Sequence, residues 1–201
     1  TIEIRQQAFL LVEKCRSISS EHNLMGPLAH CEAFYGHNDY WHGNFAGALE
    51  HFKLALDSIP TKDRGYRRLH VLSMLAFAYL RTGRYEQAFK IGSETLDLAP
   101  AERSDRFFIR YVCLKAELMW HQGDAEGSQA VLIQYAADFT QNGIHTLEEL
   151  TLYSRYLLQS SHLGLPALLN NVKISENLKK NQSSWCELLY SRGQSLLTAR
   201  S

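Results

Sequence analysis

Three glycines recur at a fixed spacing and limit what this chain can fold into. Gly43, Gly83 and Gly123 lie forty residues apart. Each separates two segments in which apolar residues return at three- and four-residue steps, the spacing of one helical face. A constant period with the same flanking pattern is typical of architectures that repeat a helix–turn–helix unit. The sequence therefore predicts an all-α fold.

The stretch from Arg68 to Pro100 is the clearest of these units. Its motif places for large, small and helix-ending residues are filled by Leu72, Leu75, Tyr79, Gly83, Tyr85, Ala88, Leu96 and Pro100. This stretch closely resembles one tetratricopeptide (TPR) repeat. It departs from that pattern at Gly92, where a large apolar residue is usual, and at Thr95, where an alanine is usual. The resemblance implies a right-handed superhelical solenoid of antiparallel helix pairs, with about ten helices in all.

The remaining chain divides into further units of the same kind. We expect one TPR-like domain over 1–201, made of an N-terminal helix or half repeat (1–22), repeats (27–60, 66–100 and 104–140), a degenerate repeat (145–180) and a capping helix (183–199). The period exceeds the usual 34 residues of a TPR repeat. The extra residues extend the first helix of the later pairs. The chain opens at Thr1 without an initiator Met, which predicts a fragment or a processed chain.

Composition excludes several classes of function. Lys and Arg together number 21, as do Asp and Glu, so the formal net charge is zero and no direct nucleic-acid contact is expected. No apolar run reaches the roughly eighteen residues that span a bilayer, so no membrane contact is expected. The four cysteines form no CxxC pair, which favours a reducing, cytoplasmic location.

No arrangement of side chains in the sequence predicts catalysis. There is no nucleophile elbow and no Gly-rich phosphate loop after a strand. Four histidines crowd the first repeat: His30, His37, His42 and His51. His30 and His37 share a helical face, but seven residues separate them by about 10 Å along the helix, too far to share one ion. We therefore expect no enzyme, no cofactor and no metal site.

The TPR resemblance implies where a partner binds, because the first helix of each pair lines the concave groove in that family. The motif places that face a ligand there contain many aromatic and charged residues, and aromatic residues and Arg dominate binding energy at interfaces. The candidate partner-binding residues are His37, Tyr40, Trp41, His70, Phe77, Arg81, Arg110, Glu117 and Trp120. The alternative interpretation is that the aromatic members fill a wide core between repeats.

The leading hypothesis is a non-catalytic protein–protein interaction module, a scaffold that binds a peptide or protein segment in the groove. Arg81 and Arg110 would select an acidic or carboxylate feature of that segment. A second hypothesis is a sensory or regulatory TPR domain of a larger bacterial signalling or transcription-regulating protein, which binds a small effector or signal peptide. Homo-oligomerisation through the terminal repeats is a further alternative.

Overall fold

The computed structural model describes residues 2–62, 65–98 and 108–142, with side chains described for 6–62, 65–98 and 110–133. The chain forms two compact units, Thr1–Leu98 and Ala99–Ser201, called here the N-terminal and C-terminal units. The described part of the N-terminal unit contains helices α1 (Ile2–Glu21), α2 (Met25–Trp41), α3 (Phe45–Asp57), α4 (Tyr66–Arg81) and α5 (Tyr85–Leu98). The described part of the C-terminal unit contains α6 (Phe108–His121) and α7 (Ala125–Asn142). These residues include no strand, which confirms the all-α prediction for them.

The helix α4 has 16 residues and begins at Tyr66, four residues before His70. The helix α2 has 17 residues, so α4 has no extra length relative to the first helix of the preceding pair. The predicted degenerate repeat over 145–180 and the predicted capping helix over 183–199 lie outside the described residues.

The three turn glycines adopt a backbone conformation that favours glycine over other residues. Gly43, Gly83 and Gly123 have φ values of +81°, +71° and +88°, in the left-handed region that an L side chain rarely adopts. At the first turn, the Asn44 N–H donates to the Asp39 carbonyl at 2.9 Å, which closes the six-residue Schellman ring. Equivalent bonds join Arg84 to Tyr79 and Asp124 to Met119. Each helix pair is therefore joined by the same turn.

The residue after the turn glycine caps the next helix with its side chain at two of the three turns. Asn44 is the N-cap of α3, and its side chain accepts a hydrogen bond from the Gly47 N–H at 3.2 Å. Asp124 does the same for the Gly127 N–H at 2.8 Å. Arg84 occupies this place before α5, and an arginine side chain has no acceptor to offer. The cap is therefore present before α3 and α7 and missing before α5.

Small residues let the paired helices approach closely at equivalent positions. Gly36 of α2 is buried against α3, and a Cβ added there would lie 2.7 Å from the ring of Phe52. Forty and eighty residues later the same place holds Ala76 and Ala116, both fully buried. The second helix of each pair also has a small residue at 0 % exposure. It is Ala48 in α3, Ala88 in α5 and Ser128 in α7.

Helix α4 forms the centre of the N-terminal unit. Every residue from 71 to 80 is buried, as expected of a helix that is apolar on nearly all sides. Consecutive helices of this unit pack on one another, and α2 also contacts α4. In the C-terminal unit, α6 packs on α7.

The two departures from the TPR pattern in α5 are accommodated locally. Gly92 and Thr95 are both buried, and the Thr95 hydroxyl donates to the Ile91 carbonyl at 2.7 Å. The polar atom is therefore satisfied within its own helix, at little cost to the core. No helix among the described residues has the length and apolar character needed to cross a membrane.

Candidate functional site

Two of the predicted partner-binding residues lie against each other where α2 contacts α4. The His37 and His70 side chains approach to 2.6 Å between their Nε2 atoms, and their rings stack with centroids 4.6 Å apart. One Nε2 donates its hydrogen to the other, so one ring presents a proton and the other a lone pair. Both side chains are half-buried. The contact places the C-terminal half of α2 beside the N-terminal half of α4.

The surroundings of this histidine pair are aromatic. The Phe52 ring meets His37 edge-on, with centroids 5.5 Å apart. The Tyr66 hydroxyl lies 3.3 Å from Nδ1 of His70, so the hydrogen-bonded chain continues from α2 to the first residue of α4. Together these residues form a continuous, partly exposed surface of aromatic rings that can stack against a flat group. We call His37, His70 and Tyr66 the histidine surface.

The predicted residues at the ends of α2 and α4 differ in accessibility. Tyr40 is 2 % exposed, and its ring packs edge-on against Trp41 and Phe45 at centroid distances of 5.1 and 5.4 Å. Trp41, the last residue of α2, is half-buried. Phe77 is 6 % exposed, whereas Arg81, the last residue of α4, is half-buried. Trp41 and Arg81 are therefore accessible, while Tyr40 and Phe77 pack inside the N-terminal unit.

The predicted residues of the C-terminal unit all belong to α6. Arg110 and Glu117 are buried, at 5 % and 3 % exposure, and Trp120, the residue before the last of α6, is half-buried. A buried charge is costly unless it is paired, so Arg110 and Glu117 contribute to the internal polar structure of this unit. Trp120 is the accessible member of the three.

A second polar cluster, which the sequence did not single out, surrounds a buried carboxylate on α2. Glu32 is 3 % exposed and accepts hydrogen bonds from Arg16 Nε at 2.6 Å and from His51 Nδ1 at 2.8 Å. The hydrogen bond to Glu32 raises the pKa of the Arg16 guanidinium. Forty and eighty residues later this position holds Leu72 and Val112, both buried and apolar. A carboxylate where the other repeats have an aliphatic residue is the pattern that could have revealed the cluster.

Beside this cluster, Tyr35 links α2 back to α1. Its hydroxyl donates to Glu13 Oε2 at 2.6 Å, and the Arg16 guanidinium lies 5.6 Å from its ring centroid. Burial, followed by the hydrogen bond to Glu13, raises the pKa of Tyr35 to about 12. The phenol therefore stays protonated at neutral pH and acts as a donor that joins the two helices.

An apolar cavity of about 610 Å³ lies on another side of α2, between that helix, α1 and the start of α4. Leu11, Val12 and Cys15 of α1 line it, and Leu11 remains 68 % exposed. The cavity is therefore open to solvent on the side of α1.

The described residues contain no group of three or more His, Cys, Asp and Glu side chains able to hold a metal ion. His30 donates from Nδ1 to the Gly26 carbonyl at 3.0 Å, and His37 contacts His70. The crowded histidines of the first repeat thus have separate partners.

Comparison with known proteins finds no matching family model, no similar curated protein and no similar solved structure. The resemblance to TPR repeats therefore depends on the residues of this chain alone, and its function has to be inferred from its own contacts.

Proposed function

We propose that this chain is a non-catalytic, TPR-like module that binds a peptide or protein segment along the face shared by α2 and α4. In this proposal the pairs α2–α3 and α4–α5 of the N-terminal unit are successive repeats of a right-handed solenoid, and α6–α7 of the C-terminal unit is a helix pair of the same kind. The first helix of each pair contributes the ligand-binding surface of its unit, as in TPR proteins. Affinity comes from side chains and not from any reacting group.

The observation that supports this proposal is the contact between His37 and His70. The TPR pattern assigns these two residues to the inner surface of successive repeats on sequence grounds alone. Their Nε2 atoms lie 2.6 Å apart, across the contact between α2 and α4. The two side chains are therefore in contact, as residues of one shared surface would be, and both are half-buried.

The accessible residues of this face suit an extended peptide. Trp41 has a large aromatic surface, and Arg81 has contacts within the protein and carries a guanidinium, the group that pairs with carboxylates in a bidentate geometry. The rings of the histidine surface supply flat faces against which a peptide side chain can stack. We therefore expect a segment that carries an apolar or aromatic side chain and an acidic group.

A selection from a displayed library of random peptides tests this proposal. Peptides enriched on the whole chain are then measured against the variants Trp41→Ala and Arg81→Gln by fluorescence anisotropy. We expect each change to weaken binding by about tenfold or more, because aromatic anchors and charge-assisted bonds contribute most at such interfaces.

Two exposed residues on the second helices provide matched controls. Leu54→Ala on α3 removes an apolar side chain that is 48 % exposed, and Lys90→Ala on α5 removes an exposed positive charge. Both should leave peptide affinity unchanged. The proposal is wrong if no peptide is enriched, or if the control changes weaken binding as much as the changes at Trp41 and Arg81.

A further inference from the structure

The apolar cavity beside α1 has the volume of a small-molecule site. Its volume of about 610 Å³ falls within the roughly 300–1,000 Å³ of typical ligand pockets. Side chains from three helices and the backbone at the start of α2 form its lining, which comprises Leu11, Val12, Cys15, Gly26, Pro27, His30, Cys31, Phe34 and Arg67. None of these belongs to the histidine surface, so the cavity is a separate feature of the N-terminal unit.

The walls of this cavity are mostly apolar. Leu11 and Val12 of α1 and Pro27 and Phe34 of α2 belong to its lining. Burial, followed by a hydrogen bond with Cys15, raises the pKa of Cys31 to about 11, so its thiol is neutral at physiological pH. A ligand that enters the cavity would therefore leave water for contact with aliphatic, aromatic and thiol groups. This environment favours a ligand whose main part is apolar.

Arg67 is the one lining residue with a formal charge at neutral pH. Among the described residues no carboxylate forms an ion pair with it. Its neighbour Arg68 differs, since Nη2 of Arg68 lies 3.1 Å from Glu94 Oε1 of α5. A Cβ added to Gly26 would lie 3.2 Å from Nη1 of Arg67, so the absence of a side chain at Gly26 gives the guanidinium room at the cavity.

From this geometry we propose that the cavity binds a small amphiphilic carboxylate of the fatty-acid type. The hydrocarbon body packs against Leu11, Val12 and Phe34, and the carboxylate accepts hydrogen bonds from Arg67. Guanidinium and carboxylate groups match in a two-bond geometry, and partial removal of water strengthens the pair. A neutral apolar ligand would cover part of the guanidinium without pairing it, which is unfavourable. This inference does not depend on peptide binding at the histidine surface.

Isothermal titration of the whole 201-residue chain with decanoate and decanol, below the micelle concentration, tests the proposal. We expect decanoate to bind at least tenfold more tightly than decanol, since only decanoate can pair with Arg67. Arg67→Gln should remove this preference, whereas Arg68→Gln should keep it. Leu11→Gln should weaken both ligands severalfold, and Leu10→Gln, which changes an exposed α1 leucine outside the cavity lining, should weaken neither.

Alkylation of Cys15 supplies a second readout that needs no heat of binding. Cys15 is exposed and lines the cavity, so bound decanoate should slow its reaction with iodoacetamide in the wild type but not in Arg67→Gln. Circular dichroism establishes that each variant keeps its helices.

Three results would contradict the assignment. The first is an absence of decanoate binding, and the second is equal affinity for decanoate and decanol. The third is binding of a peptide with a free C-terminal leucine, but not of its amidated form or of decanoate. That last result would make the cavity part of a peptide site. Failure here leaves the peptide-library experiment on Trp41 and Arg81 unaffected, because the variants and ligands differ.

Discussion

Helices α2 and α4 occupy equivalent places in the forty-residue period of the sequence, yet they bury side chains of different chemistry. Every residue of α4 from 71 to 80 is buried, and nearly all of them are apolar. Helix α2 buries a thiol and a carboxylate, Cys31 and Glu32, where α4 has Val71 and Leu72. It also keeps His37 half-buried where α4 has the buried Phe77.

The comparison separates the positions that are alike in the two helices from the positions that differ. A glycine in the left-handed conformation follows the end of each helix, and each helix has a small residue where the partner helix approaches. Those positions are fixed by backbone geometry. The positions between them accept aliphatic, ionic or aromatic side chains. In the N-terminal unit we therefore expect α4 to contribute more to stability and α2 to present more groups to ligands.

The largest expected effect comes from truncating the buried aromatic of α4. Phe77→Ala should lower the free energy of unfolding by about 3–5 kcal/mol, through lost burial and the cavity left behind. Urea titration followed by circular dichroism measures it. His37→Ala, the equivalent change in α2, removes a half-buried side chain and its hydrogen bond with His70 and should cost about 1 kcal/mol. Equal costs at the two positions would contradict the division of roles between the helices.

The Cys31 thiol of α2 should lower the free energy of unfolding at alkaline pH. The equivalent residue of α4, Val71, has no proton to lose and makes no such contribution. Burial, with a smaller contribution from Cys15, raises the pKa of Cys31 from 9.0 to about 11. Above pH 9 the unfolded chain loses this proton while the folded chain retains it. The stabilisation is therefore complete below pH 9 and is lost as the pH rises towards 11, by about 2–3 kcal/mol in total.

Urea titrations between about pH 8 and pH 11, in the presence of a reductant, measure this slope. Cys31→Val, which copies residue 71, should remove most of it. Tyr35 contributes in an overlapping range, because burial and Glu13 raise its pKa from 10.0 to about 12. Tyr35→Phe therefore isolates the part due to the thiol. An unchanged slope in Cys31→Val would show that the thiol ionises equally in both states.

The buried carboxylate of α2, Glu32, can be replaced by leucine, the residue that α4 has at the equivalent position. Glu32→Ala should cost about 2 kcal/mol, because it leaves a void and removes the acceptor for Arg16 and His51. Glu32→Leu, which copies residue 72, should stay within about 1 kcal/mol of the wild type. An apolar side chain of similar volume often replaces a buried ion without loss, and Arg16 stays 38 % exposed to water. A leucine variant as unstable as the alanine variant would show that the ionic cluster is required.

The sequence could predict the features that depend on local chemistry. The glycine turns follow from backbone conformation, and the helix bounds follow from apolar periodicity and helix-breaking residues. Pairing between distant residues is different, because Glu32 meets Arg16 of α1 and His51 of α3 only after the helices pack. The adjacent Arg67 and Arg68 illustrate the same limit. Successive residues point in different directions on a helix, but only the packed structure shows that Arg68 meets Glu94 while Arg67 reaches the cavity.

The burial of candidate site residues was the other feature beyond sequence reasoning. Tyr40 and Phe77 were placed on the inner surface by motif position, and both pack inside the N-terminal unit. An aromatic residue suits a core and an interface equally well. Periodicity predicts the helix face on which the side chain lies, but it does not show which neighbouring residues cover that side chain. Trp41 and Arg81 stay accessible because each ends its helix, where fewer side chains surround it.

The smallest expected effect distinguishes the turns that precede α3 and α5. Asn44→Ala should cost about 1 kcal/mol, because the Gly47 N–H loses the side-chain acceptor that satisfies it. Arg84→Ala, at the equivalent place, should change stability by less than about 0.5 kcal/mol, since no side-chain cap is lost there. Introducing the missing cap with Arg84→Asn should stabilise the chain by about 0.5–1 kcal/mol. Thermal unfolding resolves these differences, and a destabilised Arg84→Asn variant would mean that the turn before α5 does not offer the N–H geometry that the turn before α3 provides.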